Sequence, residues 1–274
     1  MPILVANGGS AHSIVALTFG AHLAALINSS LVVLTVVKRE EDREQAEDVL
    51  QAAQLVLDPM EARYESRVRV GHPAEEIVAE AEGGRYSMVV VGEKQHHGLM
   101  TRFILGSTAV RVVEHAPCPV VVVKRQVGRV QRVLICDSGA RVPSVVDKVA
   151  AQLPRLFDAV ESITVLHVMS QMSAGPGVDG HQLRADAGEL IEEHAPEGQV
   201  LGRDVSVLEG TGHPVLPKVR HGRVVDEVLT EAREGDYDLV IIGAHEGTGW
   251  RRILLDDLAH EIVVRLDRPV LVVR

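Results

Sequence analysis

The chain has 274 residues, room for two domains of ordinary size or one large one, and 46% hydrophobic against 24% charged residues excludes extended disorder. Acidic residues outnumber basic ones 38 to 28, and this net charge of -10 repels phosphodiester backbones. With no basic patch interleaved with aromatics, nucleic acid is not an expected partner.

Met1-Pro2-Ile3-Leu4 opens directly into an apolar run, and no run reaches the roughly 18 to 20 residues needed to span a bilayer. A cytoplasmic protein without a membrane partner is expected. A strand is predicted over 2–7, a helix over 11–27 and a strand over 31–37. A charged helix over 40–56 and a strand over 64–70 follow. The next helix starts at Pro73, a residue that fits a first helical turn, with Glu75 and Glu76 at the positive end of its dipole. A strand over 87–92, a helix near 106–115 and a strand over 119–124 complete this unit. Aromatics are only 3% of the chain, so its core is aliphatic, and Cys118 and Cys136, beside or inside apolar runs, read as buried thiols.

The chain then repeats itself. Gly71-His72-Pro73-Ala74-Glu75-Glu76-Ile77-Val78 lies 151 positions before Gly222-Arg223-Val224-Val225-Asp226-Glu227-Val228-Leu229. Tyr86 meets Tyr237 and Val89-Val90-Val91-Gly92 meets Val240-Ile241-Ile242-Gly243 at the same offset. The offset is 150 at Pro119-Val120 against Pro269-Val270, and 130 at Ile3-Leu4-Val5-Ala6 against Val133-Leu134-Ile135-Cys136. The second copy therefore holds an insertion of about twenty residues, assigned to the Gly-rich run Gln171 to Gly180 with the remainder at Thr211 to Pro217. Alternating strands and helices imply an α/β fold: two tandem doubly wound, five-stranded parallel sheets, in domains 1–126 and 130–274. The linker around Gly128 is so short that the domains should pack as a pseudo-dimer. Their uniformly apolar closing runs, Val120 to Val123 and Val270 to Val273, are the expected interface; association of whole chains stays open.

In such sheets ligands sit beyond the carboxyl ends of the strands where the winding reverses, so the loops after the first and fourth strands are the candidates. After the first strand stand Asn7-Gly8-Gly9-Ser10 and Asp137-Ser138-Gly139. After the fourth, the next helix begins with Gly106-Ser107-Thr108 in the first copy and Asp256-Asp257-Leu258 in the second. Gly-Ser-Thr at a helix start suits a phosphate, although Ser there is equally a common cap. Two carboxylates at that place repel a triphosphate by about 4 kcal/mol per charge pair at close range. His96-His97 lacks the spacing of a metal site, and Asp256-Asp257 supplies too few oxygens for a hard cation.

From Ile3 to Lys124 and from Val133 to Val273 the chain resembles two universal stress protein domains. The likeness is carried by Ile3-Leu4-Val5-Ala6 with Gly9-Ser10-Ala11-His12-Ser13, by Gly71 to Ile77, and by Leu105-Gly106-Ser107 running to His115-Ala116-Pro117-Cys118-Pro119-Val120. The family's ATP-binding subgroup carries Gly, two residues, Gly, nine residues, then Gly-Ser or Gly-Thr. The first copy has Gly92 but Gln95 at the second glycine, and ten residues before Gly106; Gly98 partly compensates. The resemblance places an adenine nucleotide, ATP or AMP with Mg²⁺ accompanying ATP, at Ala6, Asn7, Gly8, Val36, Val91, Gly92, Gln95, Gly98, Gly106, Ser107 and Thr108. Gly8 is matched to the aspartate that in this subgroup faces adenosine, and Val36 to a position near adenine. The second copy keeps Asp137 and Val168 but has Glu246 and Asp256 at glycine positions, so it is expected to be degenerate. A nucleotide-responsive stress or signalling protein without fast catalysis, acting on an unidentified protein partner, is the leading expectation. A pure interaction module is the second. An ATP pyrophosphatase-type enzyme ranks last, because Asn7 to Ser13 lacks that motif's aspartate.

Overall fold

The computed structural model describes residues 1–93, 106–125, 128–139, 143–170, 185–210, 212–246, 253–254 and 257–274. The first unit runs β1 (Ile3–Ala6), α1 (Ala11–Leu26), β2 (Leu31–Val37), α2 (Arg43–Leu57), β3 (Tyr64–Val70), α3 (Pro73–Gly83), β4 (Met88–Gly92), α4 (Ser107–His115) and β5 (Val120–Val123). The second runs β6 (Arg132–Cys136), α5 (Val145–Gln152), β7 (Ser162–Met169), α6 (Ala187–Glu192), α7 (Pro196–Glu209), β8 (Val215–His221), α8 (Val224–Glu234) and β9 (Leu239–Gly243). A two-stranded ribbon, β10 (His245–Glu246) and β11 (Ile253–Leu254), precedes α9 (Asp257–Arg265) and β12 (Val270–Val273). The elements expected in the first unit all form, with ends displaced by a few residues at most.

The two five-stranded halves are not separate sheets. They join into one ten-stranded sheet of order β3-β2-β1-β4-β5-β12-β9-β6-β7-β8, parallel within each half and antiparallel where β5 meets β12. Val121 pairs there with Leu271, its own counterpart in the repeat, so a pseudo-two-fold axis passes through that pair. Burying each half's apolar edge strand against the other removes two edges that would otherwise recruit foreign strands.

Strand side chains alternate between faces and sort the helices accordingly. Ile3 and Val5 point with α1, α2, α5 and α7 into one cluster; Leu4 points with α3, α4, α8 and α9 into the other. Both clusters contain residues from both halves, so each face of the sheet has one continuous core. Among the described residues no helix is long and apolar enough to cross a membrane. Burial pushes the Cys118 thiol up to about 11 and the Cys136 thiol up as well, which leaves neither as a ready thiolate.

The insertion lies within the β7–β8 connection and does not reach Val215 to Pro217. Val215, Leu216 and Pro217 belong to β8, whereas the β7–β8 connection spans 170–214 against 38–63 for β2–β3. The longer connection carries α6, which has no counterpart in the first half, before α7 takes the place of α2. The Gln171 to Gly180 run lies outside the described residues.

Candidate functional site

The winding reverses beside β1 and β6, which places the crevice at the carboxyl ends of β1 with β4 and of β6 with β9. Backbone register aligns the two crevices. The Asn7 N–H donates to the Leu34 carbonyl (2.8 Å) and the Asp137 N–H to the Leu166 carbonyl (3.1 Å). Gly9 N–H then donates to Asn7 Oδ1 (3.2 Å), as Gly139 N–H does to Asp137 Oδ1 (2.8 Å). Asn7, not Gly8, is therefore the counterpart of Asp137. The match of Gly8 to the acidic position is corrected by one residue, as the offset of 130 between Ala6 and Cys136 also requires.

That correction changes the chemistry. Asp137 accepts the Val145 N–H at the start of α5 with its second oxygen (2.6 Å), so each carboxylate oxygen already holds one backbone N–H. Asn7 carries an NH₂ in place of that oxygen. It is 1% exposed, and its Nδ2 is buried without a partner. An orphaned buried donor costs on the order of 1 to 3 kcal/mol unless an acceptor arrives.

Of the glycines, Gly9 is the constrained one: at φ +74° its conformation is left-handed, and a Cβ would meet Val49 Cγ2 at 2.7 Å. Gly8 is exposed, and a Cβ there meets nothing within 4 Å. Gly92 has a structural reason of its own, because a Cβ would lie 2.4 Å from the His12 carbonyl oxygen in the first turn of α1. Ser10 caps α1, accepting from the Ser13 N–H (3.2 Å).

Ala6 and Val36 are half-buried and Val91 is buried, all against the α3 and α4 face. Their counterparts Cys136, Val168 and Ile242 line, with Asp137 and Gly243, a cavity of about 180 Å³ in the second half. This is below the roughly 300 Å³ at which small-molecule sites begin.

At the far end of the first crevice α4 starts with Gly106 as its N-cap and no side chain closing it; Ser107 is exposed and Thr108 half-buried. Sequence reasoning missed Glu93, the residue after Gly92. Its N–H donates to the Val123 carbonyl (2.8 Å), and its side chain folds toward α4 with the residue 8% exposed. A Cβ built on Gly106 would lie 2.9 Å from Glu93 Oε2 and 3.1 Å from Oε1. The equivalent backbone bond in the second half, to the Val273 carbonyl (2.9 Å), is made by Ala244. Each half thus brings an acidic residue to this junction by a different route, Glu93 from the loop in one and Asp257 from the helix in the other. Burial lowers the Lys124 ammonium to about 8, against the raising effect of the Glu93 and Asp267 charges. Lys124 Nζ is committed to the Val263, Val264 and Leu266 carbonyls at the end of α9.

Gln95, His96, His97, Gly98 and Asp256 lie outside the described residues. Within the described ones, the strand-β1 end of the crevice suits a base or ribose, offering valines and an unpaired donor. At the α4 end the Glu93 carboxylate already stands beside Gly106, where its charge opposes that of a phosphate.

The model of the Universal stress protein family matches residues 1–124 and again 130–274. The chain belongs to the universal stress protein family. A universal stress protein of Methanocaldococcus jannaschii is 34% identical over 83 residues, which cover 30% of this chain and 48% of that one. The chain thus spans about half the length of that curated relative. A universal stress protein from Archaeoglobus fulgidus has the same two-domain architecture at 17% identity, with a TM-score of 0.73 over 99% of this chain and 97% of its own. A functionally unknown protein of Pseudomonas aeruginosa follows at 18% identity, with a TM-score of 0.66 over 99% and 91%. These two establish the tandem universal stress protein fold.

Proposed function

We propose that this tandem universal stress protein binds an adenine nucleotide, AMP or ATP, in its first domain and passes the bound state to a protein partner. The observation that carries the proposal is the unpaired Nδ2 of Asn7, buried at the carboxyl end of β1 where the winding reverses. An acceptor atom of a base or ribose would satisfy it, with Ala6, Val36 and Val91 supplying the apolar wall. If ATP binds, Mg²⁺ accompanies it from solvent. Turnover stays below about 1 per second, the low end for enzymes, because the role proposed is sensing and not chemistry.

The test is direct. The freshly purified protein is denatured and the released small molecules are identified by mass spectrometry, and calorimetric titrations follow with adenosine, AMP and Mg-ATP. One equivalent of an adenine compound is expected to bind. Asn7→Leu keeps the side chain's size, gives up only the bond to the Gly9 N–H, and should lower affinity at least tenfold. Absence of binding at millimolar concentrations overturns the proposal and favours the second reading, a pure interaction module. The Asp137 carboxylate, each oxygen of which already accepts a backbone N–H, and the position of Glu93 are the observations on that side.

A further inference from the structure

A helix start with unsatisfied N–H groups attracts an anion, and α4 opens with a glycine cap that offers no side chain of its own. The anion present is internal: the Glu93 carboxylate, in a residue 8% exposed, with its oxygens 2.9 and 3.1 Å from where a Gly106 Cβ would stand.

We propose that Glu93 is the specificity-determining residue of the first-domain site: its carboxylate stands in for a ligand phosphate, so the site selects phosphate-poor adenine compounds, adenosine over AMP over ATP. This rests on the adenine-nucleotide reading and narrows it. Two observations at opposite ends of the crevice agree. Asn7 presents a donor with no acceptor, which suits the neutral, acceptor-rich part of a nucleoside. Glu93 presents an acceptor and a negative charge, which suits a hydroxyl and opposes a phosphate. A ligand that satisfied both ends would carry its acceptors toward β1 and a hydroxyl toward α4. A triphosphate would have to drive the buried carboxylate out of the start of α4 before its own charge could enter.

Gly106 itself agrees with the assignment. Its lack of a Cβ is what lets the Glu93 side chain approach, so the glycine that the phosphate motif calls for here accommodates a protein carboxylate. Ala244 stands at the corresponding position of the second domain, so Glu93 is a local feature of one site and not a requirement of the fold.

The experiment titrates the full chain with adenosine, AMP and Mg-ATP in three forms: wild type, Glu93→Gln and Glu93→Ser. Glu93→Gln keeps the shape and removes the charge; Glu93→Ser opens the space and guards against a failure particular to Gln. Folding of each is confirmed by circular dichroism. Wild type should prefer adenosine to Mg-ATP at least tenfold. Both variants should gain at least tenfold in Mg-ATP affinity, about 1.4 kcal/mol, with adenosine affinity changed less than threefold. An unchanged ratio of ATP to adenosine affinity in both folded variants overturns the proposal, even if wild type binds nucleotide. Gain of ATP binding by the variants when wild type binds no adenine compound supports the role of Glu93 and refutes the wild-type nucleotide reading. If none of the three forms binds any of the compounds, both fall.

Discussion

Asp204 on α7 is 0% exposed, and its partners do not neutralise it. Oδ1 accepts from the Ser144 hydroxyl (3.0 Å), Oδ2 has no partner, and the nearest cation, Arg203, is 3.7 Å from Oδ1 and largely spent on Asp147. Burial first, and then the Asp137 charge, push its carboxyl up to about 6. The contact of Gly9 with Val49 corresponds to that of Gly139 with Val200, which aligns Asp204 with Ala53, an apolar buried position. A raised carboxyl pKa means that the folded state holds its proton longer than the unfolded one. Its contribution is favourable only below the ordinary carboxylate pKa and is lost as pH rises toward 6. At neutral pH Asp204 therefore costs stability. Asp204→Asn, which keeps an acceptor for Ser144, should raise stability at pH 7.5 by on the order of 1 to 3 kcal/mol, with the gain vanishing near pH 4. Scanning calorimetry at both pH values checks this, and an unchanged Tm at pH 7.5 would refute it. Nothing in the sequence singles out Asp204, and only the packing of α7 over the start of α5 shows that it is buried.

The outermost strands β3 and β8 face the same hazard that β5 and β12 escape by pairing, and each is held by a helix through a buried glutamate. Glu80 on α3 receives Tyr86 Oη (2.6 Å), Arg69 Nη1 (2.8 Å) and Arg67 Nη1. Glu231 on α8, offset by 151, receives Tyr237 Oη (2.8 Å), Arg220 Nη1 (2.8 Å) and Lys218 Nζ (2.9 Å). Burial raises each carboxyl, but the donated hydrogen bonds outweigh it and leave both below the ordinary value. Both tyrosines are pushed up to about 12 by burial and by their glutamate partners. Glu231→Ala would leave Lys218 without its counter-ion and Arg220 with Glu227 and Glu234 alone. Lys218 and Arg220 retain some solvent contact, so the loss should be about 2 to 4 kcal/mol, less than for a fully enclosed pair. Tyr237→Phe should cost about 1 kcal/mol. A carboxyl pKa held low stabilises above the ordinary carboxylate pKa, and the benefit is lost as pH falls. The Glu231→Ala deficit in urea midpoint should therefore shrink toward pH 3; a deficit independent of pH would point to packing instead. Both clusters were present in the sequence as a repeated Arg, Glu and Tyr at one offset, a signal stronger than either copy alone. It went unread because a glutamate on a helix is ordinarily solvated.

At the level of the whole molecule, the repeat and the hydrophobic runs predicted the halves and their interface, since strand placement depends on local pattern. Glu93 was not legible, because its role depends on which way a side chain folds, whereas the Asn7–Asp137 equivalence already follows from the offset of 130 between Ala6 and Cys136. The interface is reciprocal beyond the strands themselves. Lys124, after β5, caps the end of α9 in the second domain, while Arg274, after β12, donates to the Val113 carbonyl of α4 in the first (2.5 Å). Because the pairing of Val121 with Leu271 is two-fold symmetric, β5 has the shape and register to pair with a second β5 in the same way. Residues 1–126 expressed alone would expose Val120 to Val123 as an unpaired apolar edge, and burial of that edge is the main release of free energy open to them. They should therefore sediment as a dimer at micromolar concentration, with Val121 facing Val121 across the axis. Val121→Lys places two ammonium groups opposite each other there and should return the fragment to a monomer. In the full chain the same substitution would bury one charge in the shared core and lower stability without changing the number of chains. A fragment that is monomeric with β5 unaltered would show that the tandem linkage, and not the edge, drives the pairing of the halves.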